Sequence, residues 1–138
     1  MTEKKETVFT KIDSGIIPSV KLYEDSKCFV IMDINPIVKG HSLVISKEPY
    51  SNLTEAPEDV VKHMILVARK IDARLREVLK CDGTNVMINN DPASGQEVPH
   101  LHIHVIPRYE KDGRKFGFAH DVYADGEMVE LGRRLEIK

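Results

Sequence analysis

Seven residues constrain this chain more than any others: His100-Leu101-His102-Ile103-His104-Val105-Ile106. Polar and apolar side chains alternate with period two, the period of a β-strand. One face then carries three imidazoles and the other carries Leu101, Ile103 and Val105. Imidazoles on one face stand roughly 7 Å apart, twice the rise per strand residue. The apolar face needs a cover, so the strand must sit in a sheet with another layer packed on it.

The cover is legible upstream. From residue 57 to 80, apolar side chains fall at Val60, Val61, Met64, Val67, Ala68, Ile71, Leu75, Val78 and Leu79. Steps of three and four predict a helix with one core-facing stripe. Thr54 is the expected N-cap, with Pro57 in the first turn, and Cys81-Asp82-Gly83 ends the helix. Residues 20–24, 28–32, 41–46 and 85–88 read as strands, with a hairpin turn at 24–27. The histidine strand is expected from 98 to 106, stopped by Pro107. Short helices are expected at 7–14, closed by Gly15, and at 127–135. The pattern predicts an α+β fold: a five-stranded antiparallel sheet with one long helix on one face and short flanking helices. The 138 residues are expected to form a single domain. Its core runs from about 7 to 108, with a polar N-terminal end and a charged C-terminal tail.

Composition excludes several classes. Twenty basic against 22 acidic residues give a net charge of -2, which offers no electrostatic reason for nucleic acid or a membrane as partner. No apolar run nears the roughly 20 residues that span a bilayer. The N-terminus lacks an apolar stretch behind its lysines, so no secretory signal is expected and the cytoplasm is the expected compartment. Cys28 and Cys81 are too few for a disulfide scaffold and read as small buried hydrophobes.

Three aligned histidines allow two chemistries. Neutral imidazoles at His-x-His spacing can ligate a metal, although a third ligand two residues on is too distant unless the strand bends. Alternatively, an imidazole nitrogen can attack phosphorus and form a covalent intermediate, given a neighbour to orient it and donors for the phosphate oxygens. The preceding loop favours phosphate: Asn89, Ser94 and Gln96 offer side-chain donors, and Gly95 permits close backbone approach.

The heptapeptide resembles the signature of the histidine triad (HIT) family, His-φ-His-φ-His-φ-φ with φ apolar. Gly95-Gln96-Glu97-Val98-Pro99, Pro107-Arg108, Asp33-Ile34-Asn35-Pro36 and Gly40-His41-Ser42-Leu43-Val44-Ile45 are also similar to that family, closest to microbial Hint-type nucleotide hydrolases. The resemblance implies an enzyme acting at the α-phosphate of purine nucleoside phosphoramidates or related nucleotidyl conjugates, releasing a nucleoside monophosphate. It implies His102 as nucleophile, His100 orienting it in part through its backbone carbonyl, His104 at the phosphate or leaving group, and His41 as a fourth histidine beside the triad. Asp33 would hold the ribose hydroxyls and Ile34 would pack on the base. Asn89 and Gln96 would bind phosphate, and Glu97 and Val98 belong to the same nucleotide-binding block. A homodimer is implied, with no cofactor. The alternatives are a dinucleoside polyphosphate hydrolase, a nucleotide-binding regulatory or scaffold protein, and a metalloenzyme.

Two departures shape the expectations. Many similar proteins carry Cys-x-x-Cys near the start and bind a structural zinc, whereas this chain has Thr7-Val8-Phe9-Thr10, and Pro49 where a histidine is common. Hydroxyls are poor zinc ligands, so no structural metal is expected. Glu97 stands where a hydroxyl residue is frequent, and its carboxylate would favour a cationic or neutral leaving group. His63 on the long helix reads as structural. His120 and the cluster Lys111, Arg114 and Lys115 read as solvated. Arg108 is either solvated or a contact for a second phosphate.

Overall fold

Apolar side chains on both faces of the central strands, and on one face of one helix, set the architecture. The computed structural model describes residues 5–115 and 117–138. A short helix α1 (Val8–Asp13) is followed by strands β1 (Lys21–Glu24), β2 (Cys28–Met32) and β3 (Ser42–Ser46). The long helix α2 (Glu58–Leu79) leads to β4 (Gly83–Met87), a single 3-10 turn (Pro92–Ser94), β5 (His102–Arg108) and the C-terminal helix α3 (Glu127–Leu135). The five strands form one antiparallel sheet in the order β1-β2-β3-β5-β4. The expected α+β class and the helix-on-sheet arrangement are both present.

Each face of the sheet has its own core. Cys28 and Val30 of β2, Val44 of β3, and Ile103 and Val105 of β5 meet Val60, Met64, Val67, Ala68, Ile71 and Leu75 of α2, with Leu101 beside them. On the opposite face Phe9 of α1 packs with Phe29, Ile31, Leu43 and Ile45. The alternation along β2 and β3 serves both layers, which is why these strands are buried almost throughout. No described helix is long and apolar enough to cross a membrane.

Several boundaries differ from expectation. Pro57, in extended conformation, is itself the N-cap of α2, and the Thr54 hydroxyl instead donates to Asn52 Oδ1 at 3.1 Å. Glu58 and Asp59 compensate by placing negative charge at the positive end of the helix. The buried stripe ends at Leu75, since Val78 and Leu79 are exposed. β4 starts two residues early. β5 starts late and runs through Pro107, which pairs with Thr84. The β3 pairing has ended by then, at Val105, so this stretch of β5 has a neighbour on one side only and tolerates a proline.

The β1–β2 turn is tied to α2 by one carboxylate. Asp25 Oδ1 accepts from the backbone N–H of Lys27 (2.8 Å) and Cys28 (2.9 Å). Its Oδ2 accepts from the Tyr23 hydroxyl (2.6 Å) and His63 Nε2 (2.5 Å). Burial alone would raise this carboxyl's pKa, but the four donors together hold it well below the usual carboxylate range. His63 is therefore a structural tether.

Gly40 sets the approach to β3. Its φ is +103°, and a Cβ there would lie 2.7 Å from Leu79 Cδ1 and 3.3 Å from Pro107 Cγ. The left-handed conformation and the close approach both select glycine. Gly40→Ala should lower stability by about 1–3 kcal/mol. Urea unfolding monitored by circular dichroism reads this directly, and an unchanged midpoint would contradict the close approach.

Candidate active site

The histidines lie on the face opposite α2. Register puts His102 opposite Ile45 and His104 opposite Leu43, and cross-strand partners share a face. Phe9 closes one side, its ring edge-on to His100 at 5.5 Å and to His102 at 5.0 Å between centroids. His102 and His104 stand 4.9 Å apart, also edge to face. His100 falls two residues before the regular strand, so alternation alone does not orient it. It is fully buried and bonded at both ring nitrogens.

Backbone groups fix where the protons sit. His102 Nδ1 is 2.6 Å from the His100 carbonyl, which can only accept. Nδ1 therefore carries the proton and Nε2 keeps a lone pair. The Ile37 N–H donates to His41 Nδ1 at 3.1 Å, so the neutral His41 ring is protonated at Nε2. His41 Nε2 then donates to His104 Nδ1 at 2.9 Å. That leaves the His104 proton on Nε2. The result is an Nε2 lone pair on His102 and an Nε2–H donor on the adjacent His104, with no charge on either ring.

Burial keeps all four rings neutral. It lowers the pKa of His41, His100 and His102 below the ordinary imidazole value, against smaller opposing effects from hydrogen bonds and nearby carboxylates. For His104 burial is again the largest cause, joined by repulsion from His102 and His41, and the pKa falls to about 4.

The other expected residues divide. Asp33 stands beside the histidines, its Oδ2 3.7 Å from His41 Nε2 and its Oδ1 accepting from the Asn35 N–H at 2.9 Å. Ile34 is 90% exposed, an apolar side chain held in solvent next to Asp33. Val98 packs on the Phe9 cluster, and Glu97 is exposed. Asn89 is half-buried at the start of the loop after β4, with no side-chain hydrogen bond to another described residue. Gln96 is buried and already occupied: Oε1 accepts from the Asp91 N–H (2.6 Å) and Nε2 donates to the Ser51 carbonyl (2.7 Å). It holds Asp91 at a φ of +69° and so shapes the loop. Arg108 forks onto Asp112 and also reaches Asn85, which anchors the end of β5. Sequence reasoning missed Thr7, whose hydroxyl bonds His100, and Ser46, whose carbonyl does the same. The signal for Thr7 was its N-cap position.

Two described groups bring three potential metal donors within 4.8 Å: Asp25, Cys28 and His63, and Asp33, His41 and His104. The first is saturated by the hydrogen bonds of Asp25, and burial raises the Cys28 thiol to about 12. In the second, His41 and His104 already share a hydrogen bond. Thr7 and Thr10 form a reciprocal cap on α1.

A shared face of histidines, ordered by backbone donors and acceptors, is the arrangement of the histidine triad. The sequence matches the HIT domain over residues 14–111. It is 41% identical over 126 residues to an uncharacterised HIT-like protein of Methanocaldococcus jannaschii, covering 90% of this chain and 97% of that protein. It is 42% identical over 111 residues to adenylylsulfatase HINT3 of Arabidopsis thaliana, covering 80% of this chain and 56% of that longer protein. Among solved structures, SMU.412c of Streptococcus mutans superposes with a TM-score of 0.87 at 32% identity, over 96% of this chain and 85% of that one. A histidine triad nucleotide-binding protein of Candida albicans gives a TM-score of 0.80 at 32% identity, over 94% of each chain. The chain belongs to the HIT family.

Burying neutral histidines makes stability depend on pH. Above about pH 6.5 they are neutral whether folded or unfolded. Below it the unfolded chain binds protons that the folded chain refuses, so stability falls with acidification. The loss continues to the folded-state values, about 4 for His104. Urea midpoints at pH 7.5 and pH 5 should therefore differ, with the lower midpoint in acid. A higher midpoint in acid would contradict the neutral array.

Proposed function

We propose that this protein is a nucleotide hydrolase or transferase that acts at the α-phosphate of purine nucleoside phosphoramidates or related nucleotidyl conjugates. One observation carries the reading: the His102 ring is held by its Nδ1 on a carbonyl, so its Nε2 lone pair is available beside the N–H of His104. In this reading His102 Nε2 attacks phosphorus. The bond to the leaving group breaks, and that group departs with the electron pair and a proton from solvent. Water then attacks the nucleotidyl-imidazole and gives up a proton to solvent, the N–P bond breaks, and its electron pair returns to Nε2 as the monophosphate leaves. His104 Nε2–H contacts the phosphate or the leaving group, where a fixed donor stabilises developing charge. Asp33 accepts from the ribose hydroxyls and Ile34 lies along the base. Asn89 offers its amide to phosphate, and Gln96 serves the same subsite by holding the loop.

Similarity to a protein named adenylylsulfatase supports an adenylyl-type substrate. A dinucleoside polyphosphate hydrolase would use the same nucleophile and differ in its second nucleotide site. A nucleotide-binding scaffold would bind the monophosphate and turn over slowly. The reading includes a single domain, a cytoplasmic location and a homodimer. Exposed Ile65 and Leu66 on α2 and Val86 on the edge strand β4 supply apolar surface for a second copy.

The deciding assay presents an adenosine phosphoramidate and diadenosine polyphosphates to chelator-treated protein. His102→Ala should lose several orders of magnitude in kcat while still binding AMP. Retention of most activity would remove His102 as nucleophile. Asp33→Ala should weaken AMP binding by about 1–3 kcal/mol by calorimetry, and unchanged affinity would remove its ribose role. For the wild type, kcat/KM should fall only below pH 6.5, because burial pushes His102 below the ordinary value. An acid limb above pH 6.5 would contradict that environment.

A further inference from the structure

The geometry points to Thr7 as a positioning residue that acts on His102 through His100. Thr7 caps α1 and is buried. Its Oγ1 accepts from the backbone N–H groups of Phe9 and Thr10, each at 3.2 Å. Those bonds use the acceptor side of the hydroxyl, and its single proton remains to be placed. His100 Nδ1 lies 2.7 Å away.

The other end of that ring settles the direction. His100 Nε2 is 2.6 Å from the Ser46 carbonyl, which can only accept. Nε2 therefore carries the proton, and Nδ1 of the neutral ring presents a lone pair. The Thr7 hydroxyl donates into it. A continuous chain of bonds runs from the α1 amides to Thr7, across the His100 ring, to the β3 backbone.

The link has leverage because of where His100 sits. It precedes β5 and lies outside the ladder between β3 and β5, which reaches only to His102. Its N–H turns back to the Val98 carbonyl at 2.8 Å. The peptide that carries its carbonyl is held instead by the Leu101 N–H, which donates to the Tyr50 carbonyl at 2.6 Å. The His100 carbonyl, which fixes the His102 tautomer, is thus placed by that backbone bond on one side and by the grip on the His100 ring on the other. Thr7 and Ser46 grip that ring from opposite ends. α1 also supplies Phe9, packed edge-on against both rings, so one short helix delivers the latch and the wall.

The catalytic consequence rests on His102 being the nucleophile, whereas the tautomer of His100 does not. Three variants separate the roles. Thr7→Val removes both the cap and the donor. Thr7→Asp keeps the cap, because a carboxylate accepts from the same N–H groups, but it has no proton to give. Thr7→Ser keeps both. Long-range nitrogen–proton spectra of the ¹⁵N-histidine protein, with no substrate, read the tautomers. Steady-state kinetics on an adenosine phosphoramidate read kcat and KM.

Wild-type His100 should be the neutral Nε2–H form and His102 the Nδ1–H form. In Thr7→Asp, His100 should take a second proton, on Nδ1, and the His102 tautomer should no longer be single. The kcat of Thr7→Asp should fall about tenfold to hundredfold with KM little changed, as expected for a misaimed reacting group. Thr7→Ser should restore both spectrum and rate. A wild-type His100 protonated on Nδ1 overturns the proposal. So does a Thr7→Asp protein whose His102 signals and kcat match the wild type. If the wild type turns over neither class of substrate, the enzymatic reading fails, and the His100 and His102 spectra of Thr7→Asp still decide the latch.

Discussion

The 2.6 Å bond from His102 Nδ1 to the His100 carbonyl is the constraint on which the site depends. A carbonyl cannot reverse its role, so the proton on His102 is fixed by covalent structure rather than by a titrating neighbour. The same logic recurs at the Ile37 amide and the Ser46 carbonyl. Backbone groups thus terminate both hydrogen-bonded chains. The fold serves the chemistry by bringing three unrelated stretches of main chain to the edges of four rings.

Holding neutral imidazoles inside a protein carries a cost that polar partners must offset. Among the described residues no buried side-chain nitrogen or oxygen lacks a partner. The Phe9 cluster keeps water from one side of the rings, and the larger core under α2 makes the sheet stiff enough to carry them. The two cores have different tasks. The larger one supplies most of the apolar contact that favours folding. The smaller one sets the dielectric around the histidines.

The sequence showed the fold clearly where periodicity is strong. The three-and-four spacing located α2 within two residues, and residues 127–135 form the helix expected there. Alternation named the correct face for Leu101, Ile103 and Val105. Boundaries set by tertiary context were harder to read. Pro107 looks like a stop signal, but β5 continues because β3 ends before it. Thr54 is a good cap by type, yet the loop turns its hydroxyl onto Asn52. The grouping of the candidate site was legible in the histidine strand through its alternation, and in His41 and Asp33 only through the resemblance to the HIT family. The partners of Gln96 and of Thr7 were not legible. Gln96 looks like a free donor until its amide is seen joined to Asp91 and Ser51, and Thr7 looks like a missing thiol until its partner 93 residues away is known.

The bonds from the Ile37 N–H through His41 to His104 all point the same way. Their dipoles add and polarise one another, much as peptide units do along a helix. The outer end, His104 Nε2–H, is thus the positive pole of an array with no net charge. A lysine at that place would attract anions from a distance and lose that attraction as salt screened it. A dipolar pole has short reach and is little affected by ions in bulk. Recognition at His104 is therefore a matter of contact rather than of steering, and the chain's net charge of -2 adds no overall attraction for an anion.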